Sequence, residues 1–326
     1  MTPLSSTIQH CLPFFLILFS PVRGFSASSS GQWKPKVESF DERRLLRGRQ
    51  HVSETIGSIG FHHVEFYCGD AKSTALRFSS ALGMPIVGET GQMTGNDQCV
   101  SYGLESGEFR LLITAPYSQQ RAGIGAPQGL DAAAPNPMPS FTVSHAHDFF
   151  QKHGLAARAI AIEVKDSKEA FERSVANGAK PVQEPTFVPT CQGQLDKGVA
   201  LSGCIVAEVV LYGDVVLRYI SFPTEKVQSQ TQSRSRAAPF LPHLSPTQGK
   251  LAERPTFGIH RIDHAVGNVP NLMETLAHVS MFTGFHEFAE FTAADVGTME
   301  SGLNSVVLAS DSEDVLLPLN EPTNGR

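Results

Sequence analysis

Repetition constrains this chain more than any other feature. Three stretches run through the same succession: an alternating apolar strand, a turn bearing Asp or Asn, an amphipathic helix, then further strands. The first opens with FHHVEFYCG (Phe61 to Gly69), whose period of two marks a strand. It continues from Asp70, a plausible N-cap, to Met84, with Leu76, Phe78 and Leu82 near one helical face. Two strand-like segments follow between Cys99 and Pro116, parted by the turn residues Ser106 and Gly107. The second copy opens at Arg158, has Asp166 or Ser167 as helix cap, and ends in CIVAEVVLYGDVVLRYISF, where Gly213 and Asp214 turn one strand into the next. The third opens with a strand from Ile259 to Val266, turns at Gly267 and Asn268, and carries a helix from near Pro270 to Gly284. The strands FHEFAEFT, SVVLAS and VLLPLN complete it.

Each copy reads βαβββ. Such a unit cannot close a sheet alone, and two packed together cover each other's open edge. Three is therefore an odd count, and the third copy is expected to pair with another chain or with a fourth unit beyond Arg326. A Gly-, Ala- and Pro-rich loop (122–139) separates the first two copies, and a Ser-, Gln- and Pro-rich stretch separates the second and third. The expected organisation is a leader over 1–58, a two-unit barrel over 59–223, a linker over 224–255 and the third unit over 256–326.

With 326 residues, 41% of them hydrophobic and 18% charged, the chain can bury one large core or two ordinary ones. A net charge of -6 offers no broad cationic surface, which argues against non-specific nucleic-acid binding and for a small-molecule partner. Cys11, Cys68, Cys99, Cys191 and Cys204 contain no CxxC pair, so neither a zinc knuckle nor a disulfide framework is signalled. Buried, idle thiols are expected.

The run CLPFFLILFSPV (Cys11 to Val22) has the length of a signal-peptide h-region and is short for a bilayer span. Val22 and Gly24 suit a signal-peptidase site, so residues 1–24 read as a signal peptide and 25–58 as a transit-like leader. The Ser-rich, basic FSASSSGQWKPK after it, with Phe25 first, resembles the bipartite presequence of plastid import in algae with secondary plastids. The n-region has no Lys or Arg, so secretion, mitochondrial import and a cytoplasmic location stay open. No membrane association is expected once the presequence is gone.

His260, Ile262 and His264 share a face by strand spacing, so an inward imidazole at 264 is reasonable. Spacing alone favours a hydrogen-bonded strand histidine over a ligand. His260 and His264 make a poor metal pair, since i and i+4 lie about 13 Å apart on a strand at ~3.3 Å per residue.

Several longer runs change that balance. IDHAVGNVP (Ile262 to Pro270), TGFHEFAEFTAADVGTMESGLNS (Thr283 to Ser305) and VLLPLNEP (Val315 to Pro322) resemble the 4-hydroxyphenylpyruvate dioxygenase family, nearest to its plant-type members. FHHVEFYCGDA, LLITAPYS, AIEVKDS, SVANGA and LYGDVVLRY resemble the family's first domain. The resemblance implies an α+β fold of tandem βαβββ modules of the vicinal-oxygen-chelate type, here one complete open barrel plus half of a second. It implies Fe(II) as cofactor with His264 as the first ligand of a two-histidine, one-carboxylate triad, and Ser305 and Asn320 as substrate-pocket residues. His62 and His63 are expected to be structural.

The implied activity converts 4-hydroxyphenylpyruvate and O2 into homogentisate and CO2, in tyrosine breakdown and in plastoquinone and tocopherol synthesis. Hydroxymandelate synthase shares the fold and substrate. The family's second histidine and carboxylate lie in a fourth module that should follow Arg326. Two readings therefore stand: a dioxygenase truncated in this chain, or an inactive three-module relative that acts by binding. A homodimer would be one way to cover the third unit's edge.

Overall fold

The computed structural model describes residues 17–18, 53–118, 138–189, 203–222, 240–247, 256–291 and 302–324. In chain order the strands are β1 (Ile17–Leu18), β2 (Ser58–Tyr67), β3 (Ile86–Thr90), β4 (Cys99–Ser106), β5 (Phe109–Pro116), β6 (Ala156–Val164) and β7 (Pro181–Pro189). They continue with β8 (Gly203–Tyr212), β9 (Val215–Ser221), β10 (Ser245–Pro246), β11 (Val266–Asn268), β12 (His286–Phe291), β13 (Gly302–Ala309) and β14 (Leu316–Asn324). The α-helices are α1 (Ala71–Leu82), α2 (Val143–His153), α3 (Ser167–Ala176) and α4 (Leu272–Thr283). Among the described residues no helix is long and apolar enough to cross a membrane.

The triple repeat is visible in the strand order. β3-β4-β5-β2, β7-β8-β9-β6 and β12-β13-β14-β11 are one arrangement written three times, with the first strand of each unit parallel to its last. The helix of each unit starts from a side-chain cap that the sequence marks. Asp70 accepts from the Ser73 amide, Asp166 from those of Lys168 and Glu169, and Asn271 from that of Glu274.

In the first barrel β2 and β6 pair antiparallel and fuse two units into one nine-stranded sheet. Among the described residues the third unit has no such partner strand, and beside β11 lie Ile17 and Leu18 of β1, in parallel. This also explains a departure from expectation, since residues 259–265 do not form a strand and regular pairing begins only at Val266. A first strand is held by neighbours on both sides, and here β14 supplies one, through the Ala265 amide to the Leu316 carbonyl (3.1 Å).

Successive side chains sort to two faces. Val64, Phe66, Leu111, Ile113, Ala207, Val209, Leu217 and Tyr219 pack under the helices, and the same core continues into Leu272, Leu276, Val279, Phe282, Val306, Leu308, Leu317 and Leu319 of the third unit. The third unit is thus seated on the first barrel rather than tethered beside it. Glu108 N–H donates to the His260 carbonyl (2.5 Å) and Ser106 Oγ to that of Ile259 (2.7 Å). The β4–β5 turn can approach because Gly107, at φ +62°, has no Cβ, which would lie 2.7 Å from the His260 oxygen. Thr55 bonds to Thr283 and Phe282, and Ile56 is buried, so the end of the segment read as leader belongs to this fold. The rest of that leader lies outside the described residues, apart from β1.

Residues 240–247 fall within the segment read as linker and are folded against the first barrel. Phe240, Leu241, His243 and Leu244 are buried, and β10 pairs with β3. The physical reason is apolar content: PFLPHL places four large side chains where a spacer would carry polar ones. Helix α2 was not among the elements expected; Val143, Ala146 and Phe149 form its buried stripe. Cys68, Cys99 and Cys204 are free and buried, as expected, with burial pushing the Cys99 thiol up to about 12.

Candidate functional site

Two of the expected site residues of the third unit share one face. Ser305 on β13 and Asn320 on β14 are direct cross-strand partners, and Asn268 on β11 pairs with Asn320 in the parallel ladder. The alternate residues Val306, Leu308, Leu317 and Leu319 belong to the helix-side core, so Ser305 and Asn320 point the other way. His264 stands in the irregular stretch before β11, next to Ala265 of the helix-side core, and Asn268 lies on the face with Ser305 and Asn320. That is the face which lines the interior in the first barrel.

His264 is mostly buried, at 15% side-chain exposure, and its Nδ1 lies 2.8 Å from Asp263 Oδ2. A carboxylate accepts only, so Nδ1 carries a proton. A carboxylate that orients an imidazole in this way is the usual outer partner of a metal-bound histidine. Asp263 is thus a candidate positioning residue that sequence reasoning passed over, although the adjacent acid in IDHAV was a usable signal. Among the described residues, no three His, Cys, Asp or Glu side chains converge closely enough to hold a metal ion. His264 therefore fits as one donor of a metal site, and further donors would have to come from outside the described residues.

The first unit repeats the geometry with different chemistry. His63 stands seven positions before its cap Asp70 (63 to 70), as His264 does before Asn271 (264 to 271). It faces the barrel interior, where a wholly buried guanidinium meets it. Arg218 donates from Nη1 to His63 Nε2 (3.0 Å), from Nη2 to Glu65 Oε2 (2.6 Å) and from Nε to Glu208 Oε1 (2.6 Å). Because His63 Nε2 accepts, its Nδ1 bears the proton and donates to His62 Nδ1 (2.8 Å). Burial, then the neighbouring His62 and Arg218, hold His63 well below its ordinary pKa. Burial alone would raise the Glu208 carboxyl, but the Arg218 charge overcomes it and the net shift is downward. Thr114 donates to Glu65 Oε1 (2.7 Å) and receives a bond from Ser101 (2.9 Å). His62 and His63 are structural in this arrangement.

Comparison with known proteins bears on what the third unit's face is for. Residues 60–194 match the Glyoxalase/Bleomycin resistance protein/Dioxygenase superfamily. The 4-hydroxyphenylpyruvate dioxygenase of Daucus carota is 48% identical over 267 residues, and that of Arabidopsis thaliana 47% over 265. The chain is similar to plant 4-hydroxyphenylpyruvate dioxygenases over most of its length. The two alignments cover 81% of this chain but 53% and 54% of the relatives, so it spans about half the length of the curated relatives it matches. A triple mutant of 4-hydroxymandelate synthase from Streptomyces coelicolor superposes with a TM-score of 0.57 at 17% identity, over 82% of this chain and 64% of that one. That likeness supports the fold: an α+β assembly of βαβββ units in open sheets.

Proposed function

We propose that this chain supplies the first barrel and half of the catalytic barrel of a 4-hydroxyphenylpyruvate dioxygenase, which converts its α-keto acid and O2 into homogentisate and CO2. The observation that carries the reading is the shared face of Asn268, Ser305 and Asn320, with His264 four positions before Asn268, in a chain 44–48% identical to four plant dioxygenases of that name. Fe(II) is the metal proposed, and what it supplies when bound is open coordination positions for the keto acid and O2.

The chain's own residues orient and exclude. His264 presents Nε2 because Asp263 holds the opposite nitrogen. Ser305, buried at 6% exposure, and Asn320 beside it offer a hydroxyl and an amide that can hydrogen-bond a polar substrate. Val307 and Pro318, the next pair on that face, give it an apolar floor.

The edge of β11 opposite β14, where the two residues of β1 lie, is the place that β6 takes beside β2, and β1 would be displaced there by a further strand. A fourth βαβββ unit or a second copy of this chain would supply it, and light scattering on the purified chain separates the two by mass. The test of the metal assignment is His264→Ala in the four-unit protein. It is expected to abolish stoichiometric Fe(II) binding and homogentisate formation while the first barrel stays folded; retained iron would remove His264 from the site. Hydroxymandelate as the product would replace the activity and leave the metal reading in place. An iron-free, catalytically silent four-unit protein would favour the binding-protein reading.

For the compartment we propose the plastid, on the apolar run from Cys11 to Val22 followed by the Ser-rich, acid-free stretch 25–36. A fluorescent fusion of residues 1–58 is expected to enter plastids of an alga with secondary plastids; retention in the secretory pathway or in mitochondria would overturn this.

A further inference from the structure

At the heart of the first barrel a cation sits among donors suited to a metal, and that cation is part of the chain. Arg218 is completely buried and is met by one imidazole nitrogen and two carboxylate oxygens, from β2 and β8. We infer that His63, Glu65 and Glu208 form a latent divalent-metal site that Arg218 keeps filled, and that shortening Arg218 opens it to a transition-metal dication.

Four observations converge. First, the donors are already in the state a metal requires. His63 is neutral with its lone pair on Nε2, aimed at the guanidinium, and the carboxylates act as acceptors. Second, the imidazole is oriented from behind, since its Nδ1 proton goes to His62, and Thr114 fixes Glu65. Third, the charges count in favour of a dication: two buried carboxylates face one guanidinium, so removal of Arg218 leaves two negative charges that a divalent ion neutralises. Fourth, His243 adds a buried imidazole, 2% exposed, whose two ring nitrogens have no hydrogen-bond partner. It is near enough that the charges of Arg218 and His63 bear on it.

A guanidinium spreads its three contacts, so the donors around it stand apart, and among the described residues no group is close enough to hold a metal as the chain stands. Without the guanidinium the three side chains are left facing one space, into which side-chain rotation can bring their donors. One nitrogen and two oxygens suit Co(II), Mn(II), Fe(II) and Zn(II) alike. The positional match between His63 and His264 rests on the functional reading above; the ligand set does not.

The experiment uses the full chain with His264→Ala as the parent, which removes the third unit's donor, so that failure here is independent of failure there. Arg218→Ala and Arg218→Ser are added to that parent, and Co(II) uptake is read by equilibrium dialysis and by visible d–d absorption. The expected result is one Co(II) per chain in the Arg218 variants and none above background in the parent. Adding His63→Ala is expected to weaken uptake by at least about tenfold, the low end of what even an outer partner of a metal ligand contributes. Should the variants fold only when refolded with Co(II), the site is confirmed by that dependence. Variants that take up no more Co(II) than the parent, that bind it equally without His63, or that remain unfolded in its presence overturn the proposal.

Discussion

Arg218→Met is expected to destabilise the first barrel by about 3–5 kcal/mol, the range for removing one partner of a buried ion pair. The reason is asymmetry. Arg218 in place is offset by Glu65 and Glu208, each 1% exposed, and by the lone pair of His63. Methionine fills much of the same volume but leaves two carboxylates in a medium that solvates them poorly, and they respond by taking up protons or admitting water. Urea unfolding at neutral pH should show the midpoint falling at an unchanged slope. Replacing the cluster together, with Arg218→Met, Glu65→Leu and Glu208→Met in one chain, is expected to recover most or all of that loss, because apolar groups of similar volume carry no desolvation cost. Equal instability in the triple variant would mean that the cluster contributes through shape rather than charge.

How far the fold was legible depends on which residues carry it. Local chemistry announces the helices: Asp70, Asp166 and Asn271 each stand where a strand pattern gives way to a helix pattern, and each caps in the structure. The ladders put Ser305 and Asn320 on one face with Asn268, while the period of two led to the expectation of His264 on a strand face. The strand at His264 was expected and is absent up to Val266, because strand formation there depends on a neighbour that the alternation of a single segment cannot report. The Arg218 cluster also left a trace. Glu65 in HHVEF, Glu208 in VAEVV and Arg218 in VVLRYI each interrupt an apolar strand at a position facing inward. A charge in a buried alternating strand demands a partner, but only the pairing of β2, β6, β9 and β8 shows that the three find one another. The plug at 240–247 was hidden by its setting, since PFLPHL is a short apolar island inside a polar, Pro-containing stretch.

That plug is expected to make the protein acid-sensitive through His243. It is buried among apolar residues, with the Arg218 charge acting on it, and burial first, then Arg218, lowers its pKa from 6.5 to about 3. In the unfolded chain the same imidazole titrates near its ordinary value. Between those two values the unfolded state binds a proton that the folded state refuses, so stability is complete above about pH 6.5 and falls as the pH drops toward 3. At about 1.36 kcal/mol per unit, the full span is worth roughly 5 kcal/mol, of which ~2 kcal/mol is already lost at pH 5. His63 is depressed in the same direction and adds to the slope. The unfolding midpoint in urea is therefore expected to fall steadily from pH 7.5 to pH 5. His243→Leu should flatten that fall substantially. It should also leave neutral-pH stability unchanged or raised, since it removes two buried ring nitrogens that have no partner. A His243→Leu chain with the same pH slope as the parent would mean that the acid sensitivity resides elsewhere, with His63 the first place to look. A variant much weaker at pH 7.5 would mean instead that the imidazole makes a bond, through a buried water, that holds the plug in its barrel.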